Sequence, residues 1–409
     1  MAAVSELNVT FALEKFPALP SHGATFAFGR PSPGAERPFR GLSAERDLLS
    51  QIPLLAPTNQ AARRADSKSI PPPPQGVTGP ERAAGRRSDC PAELHSCQAS
   101  RVHEQERRRR PSMIHQVLGE VLTAIVTPFK RDGSVDLESF RSLARHLVDN
   151  GSDGLVVTGT TGESPTLSDD ERFQLYAAAL EEVGDHATVV AGTGTYDTRH
   201  SIHLTERAHE LGVDAFLIVT PYYSKPPQRG IVEHFKAVAA VTDKPIVVYN
   251  IPGRVVINIE PETISRLSEV ENVKAVKQAN DDLAQAKHIV DTGLDLYAGD
   301  DDLIVPFLEL GGVGGVCVHT HVVGPQVKEL IRLWKAGEHE TARALDREIY
   351  PSIELLRVVG NPIAIKSALN QLGHEVGGHR LPLVEASHDE RDRVRDCLAR
   401  LGLLQPAGV

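Results

Sequence analysis

A lysine lies inside an apolar stretch of the sequence, Val273-Lys274-Ala275-Val276-Lys277. Alternate residues of an extended strand face the same side, so Lys277 shares its side with Ala275. A lysine held among apolar neighbours loses water, and this loss favours the neutral amine. A neutral amine can attack a carbonyl carbon and form a Schiff base. The sequence alone leaves a second interpretation open, namely a buried ion pair with Asp300.

Three hydroxyl-bearing residues, Thr160, Tyr223 and Tyr249, stand at or just after the ends of other apolar runs. Schiff-base chemistry on a 2-oxo acid needs proton transfers at the carbonyl and at C3, and hydroxyl groups can carry those protons. The carboxylate of a 2-oxo acid also needs hydroxyl and backbone N–H donors, which Thr160 and Thr161 can supply. Each residue also has a structural interpretation, as aromatic packing or as a capping hydroxyl in a tight turn. Because the three residues occur together at strand ends, a catalytic role is favoured over a purely structural one.

The elements that must position these residues form a repeat of a short apolar run followed by a helical segment. Helical periodicity is clear in Leu137–Asp149, Asp169–Val183 and Thr198–Leu211, and Asp169 and Thr198 are the expected N-caps. The eight predicted strands are Leu122–Thr127, Gly154–Thr158, Ala187–Ala191, Ala215–Thr220, Pro245–Tyr249, Val273–Lys277, Asp295–Ala298 and Gly315–Val318. Eight βα units in about 200 residues predict a (β/α)₈ TIM barrel, whose chemistry gathers at the carboxyl ends of the strands.

Composition divides the chain near residue 112. Residues 1–112 hold 16 Lys and Arg against 11 Asp and Glu, together with 14 of the 28 prolines. We expect this Pro/Arg-rich extension to be disordered, or to be an artefact upstream of a true start at Met113. The barrel is expected over residues 113–338, followed by a C-terminal helical region over residues 339–409. An open doubly wound sheet is less favoured, because Thr127-Pro128-Phe129 is not the Gly-rich phosphate turn that such a sheet needs.

Several classes of protein are excluded by composition. No run of eighteen apolar residues is present, so no membrane span is expected. The net charge of −10 argues against nucleic acid as the main partner. The N-terminus does not resemble a secretory signal, and four cysteines are too few for a disulfide framework. A cytoplasmic location fits these features best.

Three motifs, in order along the chain, carry a family resemblance. They are Gly159-Thr160-Thr161-Gly162-Glu163, Tyr249-Asn250-Ile251-Pro252-Gly253-Arg254, and Lys277. Together they resemble the dihydrodipicolinate synthase / N-acetylneuraminate lyase family over roughly residues 117–405. The resemblance implies a lyase of lysine and diaminopimelate biosynthesis. Such an enzyme condenses pyruvate with L-aspartate 4-semialdehyde, through a lysine Schiff base, to give 4-hydroxy-tetrahydrodipicolinate.

The same resemblance implies a role for each candidate residue. Lys277 would form the imine, and a proton relay would consist of Tyr249, Thr160 and Tyr223. Tyr223 would be donated across the tight dimer interface of a homotetramer. The residues implied to bind substrate are Thr161, Arg254, Gly299 and Val316. Apart from the covalent pyruvate on Lys277, the resemblance implies no cofactor and no metal.

Two alternatives stay open at this point. Gln278 follows the Schiff-base lysine, as glutamine often does in sugar-acid lyases, so the enzyme could be a different 2-oxo-acid aldolase. Arg254 favours the small carboxylated aldehyde, because a guanidinium binds a carboxylate through two parallel hydrogen bonds. The alternative from another class is a barrel kept as a binding or regulatory protein, which would form no imine.

Two further expectations concern regulation and metals. Lysine-inhibited relatives bind lysine through His, Asn and Glu side chains, whereas the positions aligned here hold Asp169, Arg172, Tyr196 and His200, so we expect weak feedback. Three groups of polar residues could suggest metal binding, but we expect none of them to do so. These are the pair His374 and His379, the pair His319 and His321, and Asp300-Asp301-Asp302, which we interpret as a helix cap. Cys317 is interpreted as a core residue.

Overall fold

Eight parallel strands pair in chain order and close into a barrel, because the last strand pairs with the first. The structure is a computed structural model that describes residues 114–404. The strands are β1 Val121–Ala124, β2 Gly154–Val157, β3 Thr188–Gly192, β4 Ala215–Val219, β5 Ile246–Asn250, β6 Val273–Gln278, β7 Asp295–Ala298 and β8 Gly314–Cys317. The predicted (β/α)₈ barrel is confirmed. The expectations for residues 1–112, including the start at Met113, lie outside the described residues.

The strands are apolar on both faces, as expected of a parallel sheet covered on both sides. Residues that alternate along each strand enter two separate clusters of buried side chains. The barrel interior holds Leu122, Val156, Val190, Leu217 and Val247. The opposite strand faces pack beneath the surrounding helices, through residues that include Val121, Leu155, Val189, Phe216 and Val248. The first strand ends at Ala124 rather than at Thr127.

Helices connect the strands and cover the outside of the barrel. The predicted helices Leu137–Asp149, Asp169–Val183 and Thr198–Leu211 have these bounds in the structure. In chain order the helices of this part are α1 His115–Leu118, α2 Leu137–Asp149, α3 Asp169–Val183, α4 Thr198–Leu211, α5 Gln228–Ala239, α6 Pro252–Val255, α7 Pro261–Leu267, α8 Leu283–Asp291, α9 Ile304–Glu309 and α10 Thr320–Lys335.

The two N-cap predictions are wrong by one residue each. Ser168, not Asp169, caps α3, because its Oγ accepts a hydrogen bond from Glu171 N at 3.3 Å. Asp197, not Thr198, caps α4, because its carboxylate accepts from the backbone of Arg199 at 3.0 Å. In both helices the cap is the residue just before the first helical residue, because from there a side-chain oxygen reaches the unpaired N–H groups of the first turn. Asp169 is thereby free to contact another helix.

Four more helices follow the barrel: α11 His339–Glu348, α12 Pro351–Leu356, α13 Ile363–Gln371 and α14 His388–Arg400. They confirm the predicted C-terminal helical region. Helix α13 also contacts the barrel, since Lys366 Nζ donates to the carbonyl oxygen of Thr127 at 2.9 Å. Within residues 114–404, no helix combines the length and the apolar character that a membrane crossing requires.

Candidate active site

A cavity of about 420 Å³ opens at the carboxyl ends of the strands, the end of a barrel at which active sites form. The loops after β2, β5 and β7 and the end of β6 all contribute to its wall. Six of the eight predicted site residues line it: Thr160, Thr161, Tyr249, Arg254, Lys277 and Gly299. The sequence motifs therefore converge on one cavity.

Lys277 and Tyr249 are direct neighbours across the β5–β6 pairing. Lys277 Nζ lies 4.3 Å from the centre of the Tyr249 ring. Both side chains are nearly withdrawn from solvent, with 4% and 5% exposure. An amine in this position is dry, oriented and next to a phenol that can exchange protons with a bound substrate.

Asp300 also lines the cavity, next to Gly299. Burial raises the pKa of its carboxyl group, the charge of Asp301 adds to the rise, and the charge of Lys277 opposes it. Among the ion pairs of residues 114–404 there is none between Lys277 and Asp300, although the charge of Lys277 still acts on the Asp300 carboxyl group.

The loop that carries Thr160 and Thr161 lies between two residues in the left-handed backbone region. Thr158 has φ +56° and Glu163 has φ +55°, and neither is glycine. Such conformations cost about 1–3 kcal/mol each and persist only where surrounding contacts impose them. Thr158 Oγ1 supplies such contacts, at 2.6 Å from Tyr176 Oη and 3.0 Å from the carbonyl oxygen of Gly192.

The other end of this loop is held by a buried ionic group, the Glu163–Lys366–His379 cluster. Glu163 Oε1 lies 3.1 Å from Lys366 Nζ and 2.9 Å from His379 Nδ1. Its Oε2 accepts a hydrogen bond from the backbone of Arg380 at 3.3 Å. Burial alone would raise the pKa of Glu163, but the contacts with His379 and Lys366 outweigh it and hold the pKa below its usual value. The cluster thus ties the catalytic loop to the C-terminal helices.

Asn361 joins two of the predicted substrate-binding residues. Its Nδ2 donates to Thr161 Oγ1 at 3.0 Å, and its carbonyl oxygen accepts from Arg254 Nη2 at 3.4 Å. The sequence analysis missed Asn361, as it missed Glu163 and Lys366 as supporting residues. A signal for Lys366 was present: it is the one charge in the apolar run Ile363-Ala364-Ile365-Lys366-Ser367-Ala368-Leu369.

Two predicted site residues lie elsewhere. Tyr223 is 93% exposed and does not reach the cavity of its own subunit. Val316 is fully buried in the barrel interior, and the cavity is lined at β8 by Val318 instead. The reason for the difference is depth along the barrel. Val316 lies within the strand, whereas Val318 follows the end of β8, at the carboxyl end where the cavity opens.

Gln278 faces away from the cavity, on the opposite side of β6 from Lys277. Its Oε1 accepts from Asn250 Nδ2 at 3.0 Å, and its Nε2 lies 2.7 Å from both Asn280 Oδ1 and Gln285 Oε1. The glutamine therefore belongs to an amide network behind the strands. A residue in that position touches no substrate, so its identity says little about the aldehyde.

The two histidines His374 and His379, which could suggest a metal site, contact other side chains. His379 belongs to the Glu163 cluster, and the ring of His374 lies 4.3 Å from that of His146. Asp300 takes the N-cap position of the short 3-10 helix Asp301–Leu303, as predicted for this acidic segment, but its side chain makes no capping hydrogen bond. Asp301 lies in the first turn of that helix. Its Oδ1 accepts from the backbone N–H groups of Val318 and His319, both at 2.7 Å.

Comparison with known proteins assigns this arrangement to a family. The model of the dihydrodipicolinate synthetase family matches residues 117–401. The chain belongs to that family. The matched segment includes the whole barrel and the C-terminal helices, and therefore every residue of the cavity described above.

Members of the dihydrodipicolinate synthetase family resemble the chain closely in sequence. A 4-hydroxy-tetrahydrodipicolinate synthase of Desulforudis audaxviator is 47% identical over 289 residues, which cover 70% of this chain and 98% of the relative. One of Moorella thermoacetica is 46% identical over 289 residues, covering 70% of this chain and 99% of the relative.

Solved structures of the family agree with the fold. A lysine-bound structure from Cyanidioschyzon merolae has 41% identity and a TM-score of 0.69, covering 70% of this chain and 99% of that one. A structure described as the first monomeric dihydrodipicolinate synthase variant has 39% identity and a TM-score of 0.69, covering 71% of this chain and 99% of that one.

Proposed function

We propose that the chain is a 4-hydroxy-tetrahydrodipicolinate synthase, which condenses pyruvate with L-aspartate 4-semialdehyde in lysine and diaminopimelate biosynthesis. The observation that carries the proposal is the buried pair of Lys277 and Tyr249 in a cavity that Thr161 and Arg254 also line. The names of the relatives, at 46–47% identity, support the same activity.

In this proposal Lys277 Nζ attacks C2 of pyruvate, and loss of water gives an imine. Removal of a proton from C3 turns the imine into an enamine, whose C3 attacks the aldehyde carbon of the second substrate. The amino group of that substrate then attacks the imine carbon, which closes the ring and releases the free lysine. The Tyr249 ring centre lies 4.3 Å from Lys277 Nζ, which supports a role for its hydroxyl in these proton transfers.

The two substrate carboxylates have separate partners. Thr161 and the backbone of its loop suit the carboxylate of pyruvate, since hydroxyl and N–H groups donate to it. Arg254 suits the carboxylate of the aldehyde, because it is exposed at the cavity rim where a second substrate would enter. Gly299 lines the wall beside them, where a side chain would meet Ala279 Cβ at 2.8 Å. None of these steps requires a metal or an organic cofactor.

We also propose that the enzyme assembles as a homotetramer of tight dimers. The support is Tyr223, which is 93% exposed and has the left-handed φ of +71°. An exposed tyrosine in a constrained backbone conformation fits a residue that projects into the site of a neighbouring subunit.

A cytoplasmic location is proposed because Cys317 and Cys397 are both free thiols.

The decisive experiment is reduction with borohydride in the presence of pyruvate, followed by mass spectrometry of the full chain. We expect one pyruvate-derived adduct, on Lys277, and none in Lys277→Ala. Lys274→Ala is the matched control, because it lies on the same strand and faces the other side. Absence of an adduct in the parent enzyme would favour the binding-protein interpretation.

The aldehyde substrate is tested by initial rates of pyruvate consumption with aspartate semialdehyde and with N-acetylmannosamine. We expect a rate that depends on Lys277 with the semialdehyde only. Arg254→Ala should lower kcat/KM for the semialdehyde by about 10- to 100-fold, as expected for loss of a charged hydrogen bond. Turnover of the sugar instead would identify a sugar-acid aldolase.

A further inference from the structure

A second group of reactive side chains lies behind the wall of the active-site cavity: Asp301, Cys317 and His319. Asp301 follows β7, Cys317 ends β8, and His319 comes two residues later, so the adjacent strands bring the three together. Their exposures are 8%, 1% and 2%. Their potential ligand atoms all lie within 4.8 Å of one another. The proposed condensation uses none of the three.

The hydrogen bonds of His319 fix which ring nitrogen carries the proton. Ser352 Oγ has one proton and donates it to the carbonyl oxygen of Ile349 at 2.7 Å. The same Ser352 Oγ lies 3.2 Å from His319 Nδ1. Because its proton is already donated, Oγ accepts the hydrogen bond from His319, and Nδ1 is the nitrogen that carries the proton. In a neutral imidazole, Nε2 is then an unprotonated acceptor.

The lone pair of His319 Nε2 has no hydrogen-bond partner, although the atom is buried. It lies 3.6 Å from Asp301 Oδ1, so two acceptors face each other in a dry environment. A buried polar atom without a partner destabilises the fold. A cation between the nitrogen and the oxygen would remove this destabilisation. The carboxylate is already held in place, because Oδ1 accepts from the backbone of Val318 and His319.

We propose that Asp301, Cys317 and His319 form a binding site for a thiophilic divalent cation, with Zn²⁺ as the best-fitting ion. Thiolate sulfur, imidazole nitrogen and carboxylate oxygen are the ligands that Zn²⁺ takes in proteins. Ligand atoms around one tetrahedral zinc lie roughly 3.3–3.8 Å apart, given bonds of about 2.0–2.3 Å. The Nε2–Oδ1 distance of 3.6 Å already falls in that range.

The proposed ion can reach the site from solvent, and a fourth ligand is available to it. Asp301 also lines the active-site cavity, so an ion can arrive from solvent through the cavity, and a water molecule on that side completes four-coordination. Binding replaces the S–H bond of Cys317 with a bond between sulfur and the metal, and one proton leaves to solvent. His321 takes no part, because its Nε2 accepts from Val126 N at 3.3 Å and its Nδ1 donates to Val318 O at 2.7 Å.

The test uses Co²⁺ as a spectroscopic probe on the chelator-treated full chain. The parent carries Cys90→Ser, Cys97→Ser and Cys397→Ser, so that Cys317 is its only thiol. We expect a thiolate-to-Co²⁺ charge-transfer band that Zn²⁺ removes by competition. Cys317→Ser should abolish the band, and His319→Gln should weaken Co²⁺ binding at least about 100-fold, since even outer partners of a metal contribute 10- to 100-fold.

A parent without the band, or a band that survives Cys317→Ser, would overturn the proposal. Circular dichroism of each variant checks folding, and His319→Gln gives an independent answer where Cys317→Ser does not fold. The readout is binding, so it does not depend on the condensation reaction. Activity of the chelator-treated enzyme separately tests whether that reaction needs a metal.

Discussion

Glu163 and Lys366 are separated by 203 residues, yet their charged groups meet at 3.1 Å in a fully buried position. Glu163 is the last residue of the loop that carries Thr160 and Thr161, and Lys366 lies on α13. The cavity is therefore built jointly by the barrel and by the C-terminal helices. This relationship makes the C-terminal region part of the catalytic apparatus, as support for a loop that would otherwise leave its left-handed conformation.

Disruption of this pair should lower activity beyond its effect on stability. Glu163→Gln leaves a buried lysine without its counter-charge, which costs about 3–5 kcal/mol. The double variant Glu163→Gln with Lys366→Met removes both charges and should recover much of that stability. We expect it to keep a 10- to 100-fold loss in kcat/KM for pyruvate, roughly the effect of a misplaced substrate-binding group.

Urea unfolding and steady-state kinetics on the same samples separate the two effects. Asp153→Asn is the control, because Asp153 pairs with Lys328 and accepts from the backbone of Glu120 and Val121, at the opposite end of the barrel from the threonine loop. It should change stability with little change in kcat/KM. Full activity in the double variant would show that the cluster serves stability alone.

Tyr223 should act in the site of a neighbouring subunit. Tyr223→Phe and Lys277→Ala are each expected to be nearly inactive, since each lacks one group of the proposed relay in every site. When the two variants are co-expressed in equal amounts, half of the dimers are mixed, and each mixed dimer has one site with both native groups. About a quarter of the parental activity should return.

The co-expressed mixture is purified, and its rate is compared with the sum of the two variants made alone. Lys277→Ala co-expressed with Tyr249→Phe provides the control, since both residues belong to the same subunit's cavity and no mixed dimer regains a complete site. A Tyr223 mixture that stays inactive would place the tyrosine's role within its own subunit.

Free lysine should inhibit the enzyme weakly or not at all. The Asp169 carboxylate, which could attract an ammonium group, lies 2.9 Å from His200 Nε2. The guanidinium of Arg172 is buried close by and donates to the carbonyl oxygen of Ser164 at 2.6 Å, so a fixed positive charge faces any incoming cation. Initial rates with and without lysine test this, and inhibition by sub-millimolar lysine would contradict it.

Acid should destabilise the fold through His234 on α5. Burial lowers the pKa of His234 to about 4, whereas an unfolded histidine titrates near 6.5. Between these values the unfolded state binds more protons, so stability falls as the pH drops. The histidine should account for about 2 kcal/mol of the stability lost between pH 7 and pH 5.

This effect is measured as the free energy of unfolding in urea at both pH values. His234→Gln should reduce the loss by about 2 kcal/mol. His388→Gln is the control, since the side chain of His388 is 81% exposed. Equal losses in the parent and in His234→Gln would disprove the assignment.

The sequence predicts the barrel and most of the cavity well, because both depend on local pattern. Buried parallel strands require continuous apolar runs, and a lysine within such a run is conspicuous. Val316 and Tyr223 were harder to place. The depth of a residue along a barrel strand and its reach toward another subunit are not encoded in the spacing of apolar residues.

The contacts of Asn361, Lys366 and Asp301 could not be predicted for a related reason. Each of these residues contacts a partner that is distant in the sequence. Asn361 bonds to Thr161, 200 residues away. Asp301 accepts from an N–H group after β8 and not from the N–H groups of its own helix. No periodicity relates such positions. Only the closed barrel and the docked C-terminal helices bring them together.

Asn361 and Lys366 lie after all eight barrel strands in the sequence, so the ribosome adds them after the strands. A ribosome completes the last barrel strand at Cys317 well before it adds Asn361, Lys366 and His379. A nascent chain at that stage has every strand and Lys277, but it lacks the residues that hold the threonine loop. The threonine loop therefore gains the Asn361 and Lys366 contacts only after the last helices have been made, and the proposed subunit pairing follows as a later step.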